Sequence, residues 1–322
     1  MSEAAVPGRG TVVRDAPAAA AADAWRAPDA RRLLQLALGA GWLLDAILQY
    51  QSFMFTKAFG RMLAATAPGN PAAVAHPITW NASLVERHGI AVNALFATVQ
   101  LLLALGIAWR PAVKVALGSS VAWALGVWWF GEGLGGVLTG TASPVTGAPG
   151  AVIIYALLAV LLWPRDRGGA PAPFVAARAV GARAARALWA VLWGSLAYFA
   201  LLPANRAPQA LHDMISRMAA GEPGWLASVQ DGAASLLAHH GLAASVILAA
   251  GLAAVAAGAY LPPPAARATL VLAIVMAAAI WVAGEALGGI LTGAGTDPNS
   301  GPLLILLALA YWPARNALRP GR

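Results

Sequence analysis

The chain has 322 residues, of which 60% are hydrophobic and only 11% charged, and its 21 Lys and Arg against 13 Asp and Glu leave a formal net charge of +8. Soluble globular domains carry roughly 25% charged residues, so this composition excludes that class and marks an integral membrane protein. Cysteine is absent, which excludes disulfides, thiolate metal ligands and thiol exchange.

Residues 1–30 are rich in Ala, Pro and Arg and lack an apolar stretch followed by a small-residue cleavage site. They are expected to form a disordered cytoplasmic tail rather than a signal peptide. Eight apolar stretches follow, near 33–54, 89–109, 112–138, 147–163, 187–203, 241–260, 268–292 and 302–313. Crossing the hydrocarbon takes about 20 apolar residues, so each is predicted to be a transmembrane helix. With the N-terminus inside, 16 Lys and Arg flank the inner ends and 5 the outer ends, the bias of the positive-inside rule. Both termini are therefore expected in the cytoplasm. The basic residues gather beside apolar runs and form no stripe interleaved with aromatics, so the lipid bilayer accounts for the charge and nucleic acid is not expected as a partner. Heavy use of Ala, Gly, Arg and Pro suggests a bacterial source and hence the inner membrane.

Behind the first stretch, Phe55, Ala58, Phe59, Met62 and Leu63 recur at helical spacing with Lys57 and Arg61 on the other face. Leu211, Met214, Ile215 and Met218 repeat the pattern later. Each predicts a short amphipathic helix on the outer interface, a candidate lid.

The decapeptide GEGLGGVLTG at 131–140 returns as GEALGGILTG at 284–293. Other landmarks keep the same order: Arg61-Met62 with Arg217-Met218, Trp80 with Trp225, His88-Gly89 with His240-Gly241, and Trp163-Pro164 with Trp312-Pro313. The pattern predicts an all-α membrane fold of eight helices, built as a tandem duplication. The first four-helix repeat covers 31–164, a basic cytoplasmic linker 165–186, the second repeat 187–314 and a tail 315–322. An even number of crossings per unit points both copies the same way.

Glu132 and Glu285 each lie 18 residues after a basic residue, Lys114 and Arg267. At about 1.5 Å per residue that is most of the hydrocarbon thickness, which puts both acids near the outer boundary. Gly131 with Gly135, Gly136 with Gly140, Gly284 with Gly288 and Gly289 with Gly293 are small-xxx-small pairs and predict close helix packing. His88 and His240 begin the second and sixth stretches at the outer side, so the two imidazoles and two carboxylates could share one depth. Three uses stay open for them: structural pairing, proton or solute handling, and ligation of a metal or cofactor of unspecified identity. No close-spaced metal motif is present, and no nucleophile–base pattern points to an enzyme.

Asp45 falls inside the first stretch with Gln49, Asn93 and Gln100 adding polarity nearby, whereas matching Trp42 with Trp193 puts Leu196 in its place later on. The first half is thus the expected working copy and the second a scaffold. The loops TASPVTGAPG and TGAGTDPNSG, with Asp297 their only charge, read as turns.

One span, an outer interfacial helix and three further spans resemble the DoxX-like membrane family in layout. The stretch ERHGIAVNALFATVQLLLALGIAWRPA, residues 86–112, is similar to that family's second span with its Gly-hydrophobic-x-x-Arg turn. The resemblance implies four-helix units and, since some members resemble accessory subunits of membrane oxidoreductases, an accessory or assembly role in a membrane complex. The alternative is a small-solute, proton or metal-ion transporter with a site near the extracytoplasmic face.

Overall fold

A computed structural model describes residues 29–166 and 172–314. The expected N-terminal tail up to residue 28, linker residues 167–171 and the tail 315–322 lie outside the described residues. Among those described there is no strand, and eleven helices have eight residues or more: α1 Ala30–Leu48, α2 Lys57–Ala64, α3 Ala72–Ala108, α4 Val113–Phe130, α5 Ala151–Leu161, α6 Ala182–Ala200, α7 Ala210–Met218, α8 Gly224–Leu237, α9 Gly241–Gly258, α10 Pro263–Ala279 and α11 Ser300–Ala310.

A helix falls in every expected span. Among the described residues, however, only four segments, not the eight expected, are long and apolar enough to cross a membrane: Ala72–Ala108, Arg110–Phe130, Gly241–Gly258 and Pro263–Gly284; α5 and α11 are apolar but shorter. Around the outside, Ile90, Val115, Val191 and Ile247 are 69–74% exposed. Large apolar side chains exposed to this degree are unfavourable in water and suit lipid.

α1 packs on α3, α3 on α4 and α4 on α5; later, α6 packs on α9, α9 on α10 and α10 on α11. α11 also touches α1 and α5, so one hydrophobic core runs through both regions. Trp42 is fully buried in that core, stacks on Tyr155 with ring centroids 4.2 Å apart and donates its indole N–H to the Ser120 hydroxyl at 2.9 Å. These contacts bind α1, α4 and α5. The amphipathic helices form as expected: α2 folds back on α3 and α7 on α8.

The repeated glycines correct one expectation. They do not pair two helices, because α4 ends at Phe130 and a π-turn that continues α10 ends at Gly284. Gly131 and Gly284 close these helices, and Gly135, Gly136, Gly140, Gly288, Gly289 and Gly293 lie beyond them. Leu134 and Gly135, and again Leu287 and Gly288, take φ of 57°, 62°, 55° and 80°. Such a left-handed turn favours glycine. A Cβ on Gly135 would meet the Pro149 carbonyl, and one on Gly288 the Asp297 carbonyl. The small residues admit a returning loop backbone, not a neighbouring helix.

The repeated His-Gly pairs mark helix breaks. His88 has φ −131°, ψ 35° inside α3, and His240 is the residue just before α9. A side chain on Gly89 or Gly241 would approach the carbonyl oxygen of Phe55 or Ala207, respectively.

At the opposite end of the bundle, Arg178 bridges Asp29 at 2.9 Å and Asp166 at 3.0 Å, and Arg31 also pairs with Asp166. Hydrogen bonds from Arg178 and then Arg31 hold the Asp166 carboxyl below the ordinary carboxylate range. The linker is thereby tied to the start of α1.

Candidate functional site

The two repeated acids stand at the starts of the two short apolar helices. Glu285, fully buried, accepts the Ser300 hydroxyl and, at 3.0 Å, the Gly301 N–H. A carboxylate there satisfies orphan donors and faces the positive end of the helix dipole, so Glu285 acts as an N-terminal anchor of α11. Trp281 holds the incoming loop by donating to the Pro298 carbonyl at 2.8 Å.

The same frame surrounds Glu132. Trp128 donates to the Pro149 carbonyl at 2.6 Å, and the Glu132 carboxyl faces the Val152 N–H near the start of α5. Here, however, Ala151 stands where Ser300 stands in the later frame, and it has no hydroxyl to give. The Glu132 Oε2 atom is buried without a hydrogen-bond partner, and the residue lines a cavity.

That cavity, about 420 Å³, lies between α1, α3 and α4. Asp45 and Gln49 reach it from α1, Gln100 from α3, and Phe59, Met62 and Leu63 of the amphipathic helix α2 close one side. Asp45, Gln49 and Gln100 are only 1%, 4% and 7% exposed, and one side-chain oxygen of each lacks a partner. The Tyr155 hydroxyl lies beside Asp45 without a well-formed hydrogen bond. Asn93 fastens the end of α1 by donating to the Gln49 carbonyl at 2.6 Å.

A second, more polar chamber of about 380 Å³ adjoins the first and is lined by the outer turns, including Thr141, Ser143 and Thr146. Thr66, Glu132, Thr296 and Asp297 line both. Burial pushes the Asp297 carboxyl above its ordinary range, against hydrogen bonds from the Thr296 hydroxyl at 2.8 Å and the Asn299 N–H at 2.7 Å. No residue lining either chamber is Lys, Arg or His.

Thr296 and Asp297 come from the later part of the chain because the outer turns cross over. Gln51 donates to the Gly295 carbonyl at 3.3 Å, and Asn205 donates to the Ala142 carbonyl at 2.8 Å. The later turn brings an acid to the first region. The earlier turn brings Val145 to the second, where it packs with Leu211, Ile215 and Ala234.

The expected partnership of histidines and glutamates is not assembled. His88 and His240 are exposed at helix breaks and line neither chamber, and the described residues hold no group of three or more His, Asp or Glu placed for a metal ion. Of the five candidates, Asp45 and Glu132 share a cavity, and Glu285 is closed off in its own anchor. Sequence reasoning read Asp297 only as a turn residue and passed over Tyr155. Tyr155 had a signal: Leu304 occupies the matching place in α11. Neither a protein-family model, nor a curated protein, nor a solved structure matches this chain.

Proposed function

We propose that this chain is a bacterial inner-membrane protein that crosses eight times as two tandem, DoxX-like four-helix units. Its termini are cytoplasmic, and its first unit is a small-solute transport site near the extracytoplasmic face. The duplication is supported by the paired left-handed turns, the paired Trp-to-loop hydrogen bonds and the paired helix breaks. The single observation that carries the solute reading is the cavity in which Asp45, Gln49 and Gln100 are buried with unsatisfied oxygens. An ionisable or polar group at membrane depth is costly to leave unpaired, and such groups mark solute paths. An accessory or assembly role, as the family resemblance implies, has no such feature to support it.

Matching Trp42 with Trp193, His88 with His240, and the Trp128 and Trp281 frames sets Leu196, Leu252, Ala273 and Leu304 against Asp45, Gln100, Ser120 and Tyr155. All four replacements are buried and apolar or small. The first unit works and the second supports it. Screening purified protein by thermal shift against cationic, neutral and anionic small solutes tests this. At least one should stabilise the wild type and the Leu196→Asn variant but not Asp45→Asn; no hit, or equal response in Asp45→Asn, would overturn it.

A further inference from the structure

We infer that the ligand of the α1–α3–α4 cavity is an organic cation with an apolar body, such as an aromatic amine or quaternary ammonium. The inference rests on the solute-site reading above and adds the chemistry of the solute.

Charge is the first reason. Asp45, Glu132 and Asp297 line one cavity, and no Lys, Arg or His lines it or the adjoining chamber. Three carboxyls without a counter-ion resist ionising together; a cation is the ligand that relieves that cost, whereas an anion would add to it.

Hydrogen-bonding capacity is the second. Among the residues that line the cavity, the buried atoms left without partners are Asp45 Oδ1, Gln49 Oε1, Gln100 Oε1 and Glu132 Oε2, all oxygens, and one donor, the Trp123 indole N–H. Oxygen acceptors outnumber that donor four to one, the complement of an N–H-bearing or diffusely positive ligand.

The walls supply the third. Trp42, Phe59, Phe96, Trp123 and Phe130 line the same cavity, and Phe96 meets Trp123 edge-on with ring centroids 5.7 Å apart. Aromatic faces attract ammonium groups and cover an apolar body at once. A bare metal ion fits poorly, since hard cations take six or more convergent oxygens and the described residues hold no metal-competent cluster. A cavity of about 420 Å³ falls within the range of small-molecule pockets. The polar chamber behind Thr296 and Asp297 provides hydrated access, and α2 lies over one side as a lid.

The test is calorimetric titration of the detergent-solubilised full chain with benzyltrimethylammonium, its neutral isostere neopentylbenzene, and benzoate. The cation should bind, and Asp45→Asn should weaken it about 30-fold or more, as loss of a buried charge partner does. The milder Gln100→Leu, which copies the residue at the matching place of the second region, should weaken it several-fold while preserving the elution profile and melting temperature. Asp45-dependent binding of benzoate or neopentylbenzene in place of the cation would sink the cation assignment and leave the solute site standing. Binding by none of the three, or cation binding unchanged in both variants, would overturn the assignment as well, and a broader solute screen without a hit would take the solute site with it.

Discussion

The two acids of the repeated decapeptide occupy one frame and serve different ends. In the later region Glu285 is enclosed, with Ser300 and Gly301 hydrogen-bonded to it, and the space beneath the amphipathic helix α7 is filled by Val145. In the earlier region Ala151 withholds the hydroxyl, the space beside α2 is a cavity, and the loop that arrives from the other region carries Asp297 instead of an apolar plug. A decapeptide that recurs can thus anchor a helix with one of its acids and expose the other to a cavity. The difference turns on a few side chains and on the loop between each acid and its helix, 19 positions from Glu132 to Ala151 against 15 from Glu285 to Ser300.

The strongest way to break that comparison is to remove each acid. Glu285→Ala leaves a buried hydroxyl and a buried N–H without their acceptor and should cost about 3 kcal/mol of stability in thermal unfolding in detergent. Glu132→Ala should cost about 1 kcal/mol or less, since one of its oxygens is already unsatisfied. Equal losses would show that both acids are anchors of the same kind.

Exchanging the hydroxyl sharpens it. Ala151→Ser should give Glu132 the partner it lacks and raise stability by about 1 kcal/mol, while Ser300→Ala should lower it by a similar amount. Ala151→Ser should also weaken solute binding by titration calorimetry, because the carboxyl is drawn towards α5. If neither substitution moves stability or binding, the asymmetry does not reside at this position.

The smallest effect lies at the opposite end, where the comparison predicts no link to the cavity. Asp166 is held below its ordinary carboxylate range by Arg178 and Arg31. Its contribution is therefore present above the unfolded value of about 3.9 and lost as pH falls through the lower folded value. The side chain is 60% exposed, so solvent screening limits the amount to about 0.5 kcal/mol. Asp166→Asn should flatten the acid side of a melting-temperature profile by that amount and leave solute binding unchanged.

Hydropathy and helical periodicity depend on neighbours along the chain, and they were legible without a structure. The apolar stretches that became helices, the amphipathic α2 and α7, and the landmarks that recur in order could all be read this way. So could the contrast of Asp45 with Leu196. Glycine was misread because small-xxx-small spacing serves equally well for two packed helices or for a turn that admits a loop, and only the end of α4 at Phe130 separates the two. The histidines recur because a helix breaks beside them, a backbone event that resembles a ligand pattern in sequence. Asp297 reached the site through a crossover of outer turns from the far half of the chain, which no local pattern encodes. The sequence by itself determined which segments are apolar helices and which positions along them are polar. Only the tertiary structure decided which polar groups meet, because that depends on which loop lies over which helix end and whether a neighbouring hydroxyl is there to satisfy a buried carboxyl.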